Sequence, residues 1–398
     1  MTVTADVVIV GGGLEGAAAA WALSQRGVTD VLVAERNTVG SGMTGKSSGI
    51  VRCHYGVSSL AAMAASSLEV FEKPQQFLGD HATDIGFRQT GYVVGVGERN
   101  VDSMRQSLTA QRAVGVQTEE IGADEVATMW PHADLGPFAA FGWEARGGYG
   151  DAYQTAQAFA VSARAAGVRI RQGANVTDLL VDGDRVSGIK LSDGTEVSAG
   201  TVVVATGAWT QPFLARYRVD VPIRVVREQI VTISPGLDLG PVPVFSDLVS
   251  LQYVRPEQGG EILFGNSDLT HCEDADPDDY LNRAADSFVE STVDKVGTRF
   301  PGLTDAAITG SYAGCYDVTP DWNPVISAGG LDGLIVAAGF SGHGFKIAPA
   351  VGRLVADLVT DGHSSDSRIP ETDFRLSRFA DGTLLKSPYP YVGAGEMR

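Results

Sequence analysis

Positive charge is scarce in this chain. Its 398 residues carry 30 lysines and arginines against 48 aspartates and glutamates, a formal net charge of −18. A surface that acidic repels phosphodiester backbones and anionic lipid, so neither nucleic acid nor membrane is expected as a partner. A local pair of cations still overrides that field for a small anion. Cysteine is scarcer. Cys53, Cys272 and Cys315 are scattered without C-x-x-C spacing, which argues against a zinc site or any other metal centre and against a disulfide framework. Long apolar runs are missing as well, so no segment reads as membrane-spanning. The first strand pattern begins a few residues after Met1, leaving no space for a signal peptide, and a cytoplasmic protein is expected. At this length, with 44% hydrophobic residues, the chain buries a large core and fits about two domains.

Glycine, by contrast, is plentiful, and its first cluster says most. Val7-Val8-Ile9-Val10 is a run of branched side chains, too short and too branched for a helix, and reads as a strand buried on both faces. Gly11, Gly13 and Gly16 follow on the G-x-G-x-x-G spacing around Leu14 and Glu15, and an Ala-rich helix continues to Gly27. That spacing gives a tight turn, a close backbone approach to a pyrophosphate, and close packing of helix on strand. The helix N-terminus adds free N–H groups and the positive end of a dipole. A second strand, Val31 to Ala34, ends in Glu35 at about the offset where an acidic side chain takes ribose hydroxyls. An adenine dinucleotide is expected here.

Farther along, a Gly/Ser-rich loop (Val39 to Gly49) leads into Arg52-Cys53-His54-Tyr55, and a helix is predicted from Ser58 to about Phe77. Phe87 to Val96 reads as a strand with a turn at Gly91, followed by two polar helical segments to about Met129. Tyr149-Gly150-Asp151 opens a helix to Ala166. Short strands are predicted at Val168 to Ile170, Val176 to Leu180, Val186 to Leu191 and Glu196 to Ala199, with Asp-Gly hairpin turns between the later ones. Thr201 to Trp209 (TVVVATGAW) is a second buried strand. The pattern then turns strand-rich: Ile223 to Val226, Gln229 to Ile233, Leu251 to Val254 and Ile262 to Phe264. A helix over Asp278 to Val296, a strand over Ile308 to Cys315, a third buried strand over Leu334 to Gly339 and a last helix over Ala348 to Val359 complete the reading. Dinucleotide-type elements thus occupy the two ends and the middle of the chain, with a site expected between the two interleaved parts.

Four motifs together resemble one family, the amino-acid-oxidising flavoproteins that include sarcosine oxidase, glycine oxidase, D-amino acid oxidase and dimethylglycine dehydrogenase. They are GGGLEG (Gly11 to Gly16), GKSSGIVRCHYG (Gly45 to Gly56), VVVATGAW (Val202 to Trp209) and CYDVTPDWNPVI with VAAGFSGHGFK (Cys315 to Lys346). The last looks closest to sarcosine oxidases and to the β subunit of their heterotetrameric forms. The resemblance implies FAD and an α/β (α+β) fold in which a Rossmann-like FAD-binding domain interleaves with a strand-rich substrate domain. The implied division is 1–90, 145–215 and 315–365 for FAD, 91–144 and 216–314 for substrate, and 366–398 as a C-terminal tail. It extends the expected cofactor contacts to Arg36, to Thr44, Gly45, Lys46, Ser47 and Ser48, to Val176, and to Ala205, Thr206, Gly207 and Trp209. Gly314 and the turn residues Gly339, Gly342, His343, Gly344, Phe345 and Lys346 complete the set. The Gly339–Gly344 turn aims N–H groups and a helix dipole, each worth ~0.3–1 kcal/mol, at one point, as the negative N1–C2=O edge of reduced flavin requires.

By the same resemblance Arg52 and Lys346 hold a substrate carboxylate, the guanidinium as a planar fork and the ammonium as a point charge. Tyr253 and Tyr316 resemble tyrosines on the amine side of the pocket, and His343, inside the flavin turn, is placed to tune flavin or amine. The implied reaction oxidises the C–N bond of a small, carboxylate-bearing amino acid, sarcosine-like and N-substituted. A neutral amine expels hydride to flavin N5, the imine hydrolyses, and O2 takes the electrons to give hydrogen peroxide. Two departures from the family pattern matter. Gly314 stands where monomeric sarcosine oxidase has its flavin-linking cysteine, and Lys46 where other relatives have a linking histidine, so FAD is expected to be non-covalent. Leu263 stands where that enzyme has a lysine near the flavin that assists electron transfer to O2. A dehydrogenase that uses an acceptor protein, or the flavin subunit of a hetero-oligomer, is therefore the alternative to an autonomous or homo-oligomeric oxidase.

Overall fold

The computed structural model describes residues 3–80, 84–268 and 272–393. Its first layer grows from β1 (Val3–Val10), α1 (Leu14–Gln25) and β2 (Val31–Glu35). β1 lies in the middle of a sheet, parallel to β2 on one side and to β3 (Glu196–Val204) on the other, so that Ile9 faces Val33 and Val203. The branched run is divided between two cores by strand alternation. Val7 and Ile9 join the apolar cluster under α1, whereas Val8 and Val10 join the cluster on the opposite face. The sequence reading splits β3 at Gly200 and extends its second half to Trp209. In the structure one strand runs through Gly200, and the chain leaves the sheet after Val204 for a 3-10 turn at Gly207–Trp209.

A second, mainly antiparallel sheet stands across from the first. Its main strands are β4 (Arg224–Ser234), β5 (Gln252–Pro256) and β6 (Ala307–Val318); β4 and β6 pair along almost their whole lengths. The two short strands predicted at 223–226 and 229–233 are this single β4. The sheet also includes Tyr92–Val96, Ile262–Asn266 and Glu273–Asp274, together with strands at Glu119–Ile121, Ala140–Glu144 and Val244–Asp247 that had no counterpart in the sequence reading. The chain then returns to the first sheet through β7 (Leu334–Ala338), parallel to β3, and ends its core in α2 (Gly344–Thr360). Helices α1 and α2 pack closely because Gly352 has no side chain; a Cβ there would stand 2.4 Å from the Ala18 carbonyl oxygen.

Two helix predictions need correction. The one from Ser58 ends at Glu72, because Pro74 excludes helical geometry at Lys73 and starts a separate turn, Pro74–Leu78. The one from Asp278 begins only at Asp286. Residues 278–285 are drawn over the second sheet instead, where Arg227 donates to the carbonyls of Leu281 and Arg283. Likewise the strand expected from Phe87 starts at Tyr92, after Gly91 turns the chain at φ +84° against the Trp143 ring. The C-terminal stretch packs along the body. Arg378, 1% exposed, makes a buried ion pair with Asp321, and the Tyr391 hydroxyl shares a 2.8 Å hydrogen bond with His54 Nε2. Among the described residues no helix is long and apolar enough to cross a membrane.

Candidate active site

Between the two sheets, at the carboxyl ends of β1, β3 and β7, lies an elongated cavity of about 570 Å3. One end is built by the glycine turn after β1. Gly11 takes φ +102°, and a Cβ there would fall 2.4 Å from the Ala205 carbonyl oxygen, so only glycine lets β1 and β3 end side by side. A Cβ on Gly16 would fall 2.0 Å from the Gly11 carbonyl oxygen. Gly13, the residue before α1, meets only Thr44 Oγ1 at 3.4 Å and otherwise leaves bare backbone on the wall. Thr44 accepts a hydrogen bond from the Leu14 N–H at 3.0 Å. Glu35 lines the same end, where its two carboxylate oxygens accept the Gly12 and Asn37 N–H groups, each at 2.7 Å.

Arg36 closes the rim. Its guanidinium lies 4.1 Å from the Trp209 ring, and both donate to Asp278, which the sequence reading assigned to a helix. Val176, Ala205, Thr206 and Gly207 complete this part of the wall. The middle is formed by the 3-10 turn Met43–Lys46 with Ser47 and Ser48. Gly314 lies against Lys46, whose Cβ would be 2.7 Å from a side chain there. Cys315 is paired in register with Arg227, one step out of phase with Gly314 and Tyr316, and burial pushes its thiol up to about 11.

At the far end Tyr253, Tyr316, Phe345 and Lys346 share the wall. Two glycines make room for the aromatic rings: a Cβ on Gly265 would fall 2.1 Å from the Tyr253 ring, and one on Gly342 would fall 2.6 Å from Tyr316. Gly342 and Gly344 line the wall beside them. The turn into α2 is pinned by Asp317, whose Oδ2 accepts the Gly339 N–H at 2.7 Å. Burial lifts the Asp317 carboxyl to about 6 despite those amides, and burial together with Asp317 holds Glu15 well above the ordinary carboxylate range.

Five of the residues singled out by sequence do not form the wall: Gly16, Gly45, Arg52, Gly339 and His343. The glycines shape the turns behind it. His343 is buried before α2, edge-on to the Tyr55 ring at 5.2 Å between centroids. Arg52 also packs on Tyr55, 4.5 Å from that ring, and donates to the His54 carbonyl oxygen. Close by, burial raises Glu144 to about 7 against the opposing effects of the Cys53 amide and Arg52. Conversely, the wall holds residues that sequence reasoning passed over, among them Met43, Ile50, Asp278, Asp317 and Glu228. Glu228 had a readable signal: it stands between Val226 and Ile230 in the alternation of a strand, a carboxyl group on an apolar face.

The arrangement fits an adenine dinucleotide. A glycine cradle that a Cβ would fill, two helix N-termini and a stacked rim lie along one continuous cavity. Comparison with known proteins agrees. Residues 6–358 match the family model described as DAO, FAD dependent oxidoreductase. The chain is 28% identical to the sarcosine oxidase subunit beta of Arthrobacter sp, covering 96% of this chain and 92% of that one. It is 27% identical to the glycine oxidase of Geobacillus kaustophilus, over 90% and 94% respectively. Among solved structures, the L-proline dehydrogenase of P. horikoshii superposes with a TM-score of 0.87 at 28% identity, covering 96% of this chain and 100% of that one. A glycine-lined dinucleotide cavity and a family match across nearly the whole chain lead to one conclusion: this protein belongs to the DAO family of FAD-dependent oxidoreductases.

Proposed function

We propose that this flavoprotein oxidises the C–N bond of a small secondary amino acid at the Tyr253–Tyr316–Lys346 end of the cavity. The observation that carries this reading is the lysine itself, a cation on the wall of a tyrosine-lined pocket within a chain of net charge −18. On this reading the Gly11–Gly16 turn, Glu35, Arg36, Thr44, Val176 and Trp209 hold the adenosine and pyrophosphate of FAD. The Met43–Ser48 turn, Gly314 and the Gly339–Lys346 turn hold its ring system. The bound flavin supplies a two-electron acceptor for the hydride released from the carbon next to nitrogen.

The protein contributes binding and orientation. Lys346 Nζ lies 3.4 Å from the Gly342 carbonyl and reaches into the cavity, where it pairs with a substrate carboxylate. Arg52 is off the wall, stacked on the Tyr55 ring, and contributes through its field. The tyrosines exclude water from the amine side and orient the C–H bond, and orientation is the larger part of such a barrier. Attachment of FAD is non-covalent on this reading: Gly314 carries no sulfur, and Cys315, though it borders the cavity, is one step out of phase with Gly314 and Tyr316 along β6.

Two readings of the electron acceptor divide the proposal. An oxidase returns the electrons to O2. A dehydrogenase or a subunit of a larger assembly passes them to a partner, a reading supported by the similarity to a protein described as a beta subunit and to a proline dehydrogenase. Anaerobic mixing of the purified yellow protein with a panel of amino acids and N-alkyl amino acids tests the shared part. Bleaching by secondary amino acids supports the reading, and bleaching by none overturns it. Peroxide formation in air then separates the two acceptors.

A further inference from the structure

The cavity holds one acid that the proposal above leaves without a task. Glu228 is on β4, directly across from Gly314 of β6, and Ile230 is across from Tyr312. Because side chains alternate along a strand, Glu228 shares its face with Val226, Ile230, Gly314 and Tyr316. Gly314 opposes it with no side chain, the Lys46 stem packs over that glycine, and Glu228 lines the cavity together with Lys46, Tyr253, Tyr316 and Lys346. The carboxyl is close enough for its charge to act on both tyrosines and on Cys272.

We propose that Glu228 is the amine-binding residue of this site and the acceptor of the substrate's ammonium proton. This rests on the reading that an amino acid binds here, and it deepens that reading to the zwitterion. A carboxylate substrate arriving at Lys346 brings a positive nitrogen with it, and a lysine-bearing pocket alone would repel that nitrogen. Glu228 supplies the opposite pole of the cavity. The transfer balances simply: the N–H bond of the ammonium breaks, its electron pair stays on nitrogen, and an O–H bond forms on Glu228. The product is a neutral amine whose lone pair is free for oxidation and a neutral carboxylic acid in a buried place.

Burial supports that direction of transfer. It raises the Glu228 carboxyl to about 8 and is the single cause of the rise, so the neutral acid is a comfortable end state. The groups that face it are accounted for among the described residues. Tyr253, Tyr312 and Tyr316 are all held protonated by burial and carry no charge near neutrality. Cys272 is likewise raised. Lys46 turns its ammonium to Asn282, and Arg227 pairs with Glu273. Lys346 lines the same wall and is reserved for the carboxylate, whereas Arg36, also on the wall, pairs with Asp278.

The test uses flavin-loaded protein and matched ligand pairs in which sulfur replaces nitrogen: sarcosine with (methylthio)acetate, and L-proline with tetrahydrothiophene-2-carboxylate. Both members carry the carboxylate, and only one carries an ammonium. Dissociation constants come from the flavin absorbance change on anaerobic mixing at pH 9, where Glu228 is ionised and the amines keep their ammonium proton. The wild type is expected to prefer the nitrogen member of at least one pair by about tenfold or more, the weight of one charge-assisted hydrogen bond. Glu228→Gln, which replaces the acid by a neutral group of the same size, is expected to abolish that preference while binding the sulfur member as well or better. In the wild type alone, binding of the sulfur member is expected to weaken as pH rises through about 8, because ionised Glu228 repels an anion that brings no proton. A wild type without preference for nitrogen, a variant that loses both members equally, or sulfur binding flat across that range overturns the assignment. Absence of bleaching by any amine overturns the oxidation reading instead and leaves these binding comparisons readable.

Discussion

Gly13→Ala separates folding from cofactor binding. The backbone at Gly13 is extended, with φ −66° and ψ −175°, which alanine adopts without strain. The added Cβ meets one protein atom, Thr44 Oγ1 at 3.4 Å, an ordinary van der Waals contact. Losing a glycine at the position before a helix costs at most about 1 kcal/mol, so the melting temperature of cofactor-free protein should hardly change. The remaining space around that Cβ belongs to the cavity, where the turn N–H groups are assigned to the pyrophosphate. A methyl group there displaces one or two charge-assisted hydrogen bonds, each worth ~1.5–3 kcal/mol, and flavin affinity should fall roughly 10- to 10,000-fold. Gly16→Ala is the contrasting case: its Cβ would lie 2.0 Å from the Gly11 carbonyl oxygen, so strand and helix must move apart, and both stability and flavin binding should fall. The assay is flavin retained on desalting and the dissociation constant on reconstitution, beside thermal melts of the cofactor-free proteins. If Gly13→Ala binds flavin within about threefold of wild type, the turn does not approach a pyrophosphate and the cofactor assignment of this end fails.

Other expectations are as direct. Lys346→Met should raise the substrate dissociation constant roughly 10- to 100-fold, the loss of one charged hydrogen bond, with a smaller effect on the limiting rate of flavin bleaching; unchanged affinity would remove the lysine from the carboxylate. Arg378→Ala strands the carboxylate of Asp321, which is fully buried, and breaking such a pair costs about 3–5 kcal/mol, so the melting temperature should drop by several degrees; an unaltered melt would mean that the C-terminal stretch closes without it. Asp317→Asn should reveal a pH signature. The folded pKa of Asp317 is raised to about 6, so its contribution to stability is full below the ordinary carboxylate range and is lost as pH rises toward 6. The melting temperature of the variant relative to wild type should therefore climb between about pH 4 and pH 6 and stay level above pH 7; a difference independent of pH would place Asp317 outside the titrating set.

The fold was most legible where one physical signal acted alone. Val7 to Val10 and Leu334 to Ala338 are buried on both faces, and continuous branched runs announce that wherever they occur. Legibility failed where a neighbour distant in sequence decided the outcome. Gly200 looks like a strand end, yet β1 pairs with β3 on both sides of it and carries the ladder through. Asp278 to Ala285 has helical composition, but Arg227 claims its carbonyls from the next sheet, and the helix waits until Asp286. Ala140 to Glu144 became a strand because Tyr92 to Val96 offered an open edge beside it. Local sequence carries no record of such partners.

The site follows the same division. Its glycine turns are local devices, so spacing pointed to Gly11, Gly13 and Glu35, whereas Arg36, Thr44, Val176 and Ala205 to Trp209 on the same wall were reached through the resemblance. The far end is assembled from β4, β5, β6 and α2, and which of their side chains share a wall is decided by register between strands far apart in the chain. Tyr253, Tyr316 and Lys346 were reached through the resemblance, but Arg52, reached the same way, stacks on Tyr55 and is not on the wall. A motif records which residues a site employs, whereas depth depends on packing that the motif does not encode. Glu228 is the converse case. It belongs to no motif, and its meaning appears only when β4 is laid against β6 and the residue opposite proves to be a glycine. A carboxyl group on the cavity wall would be expensive to keep ionised unless a cation arrives to meet it, and an amino acid held by Lys346 brings one.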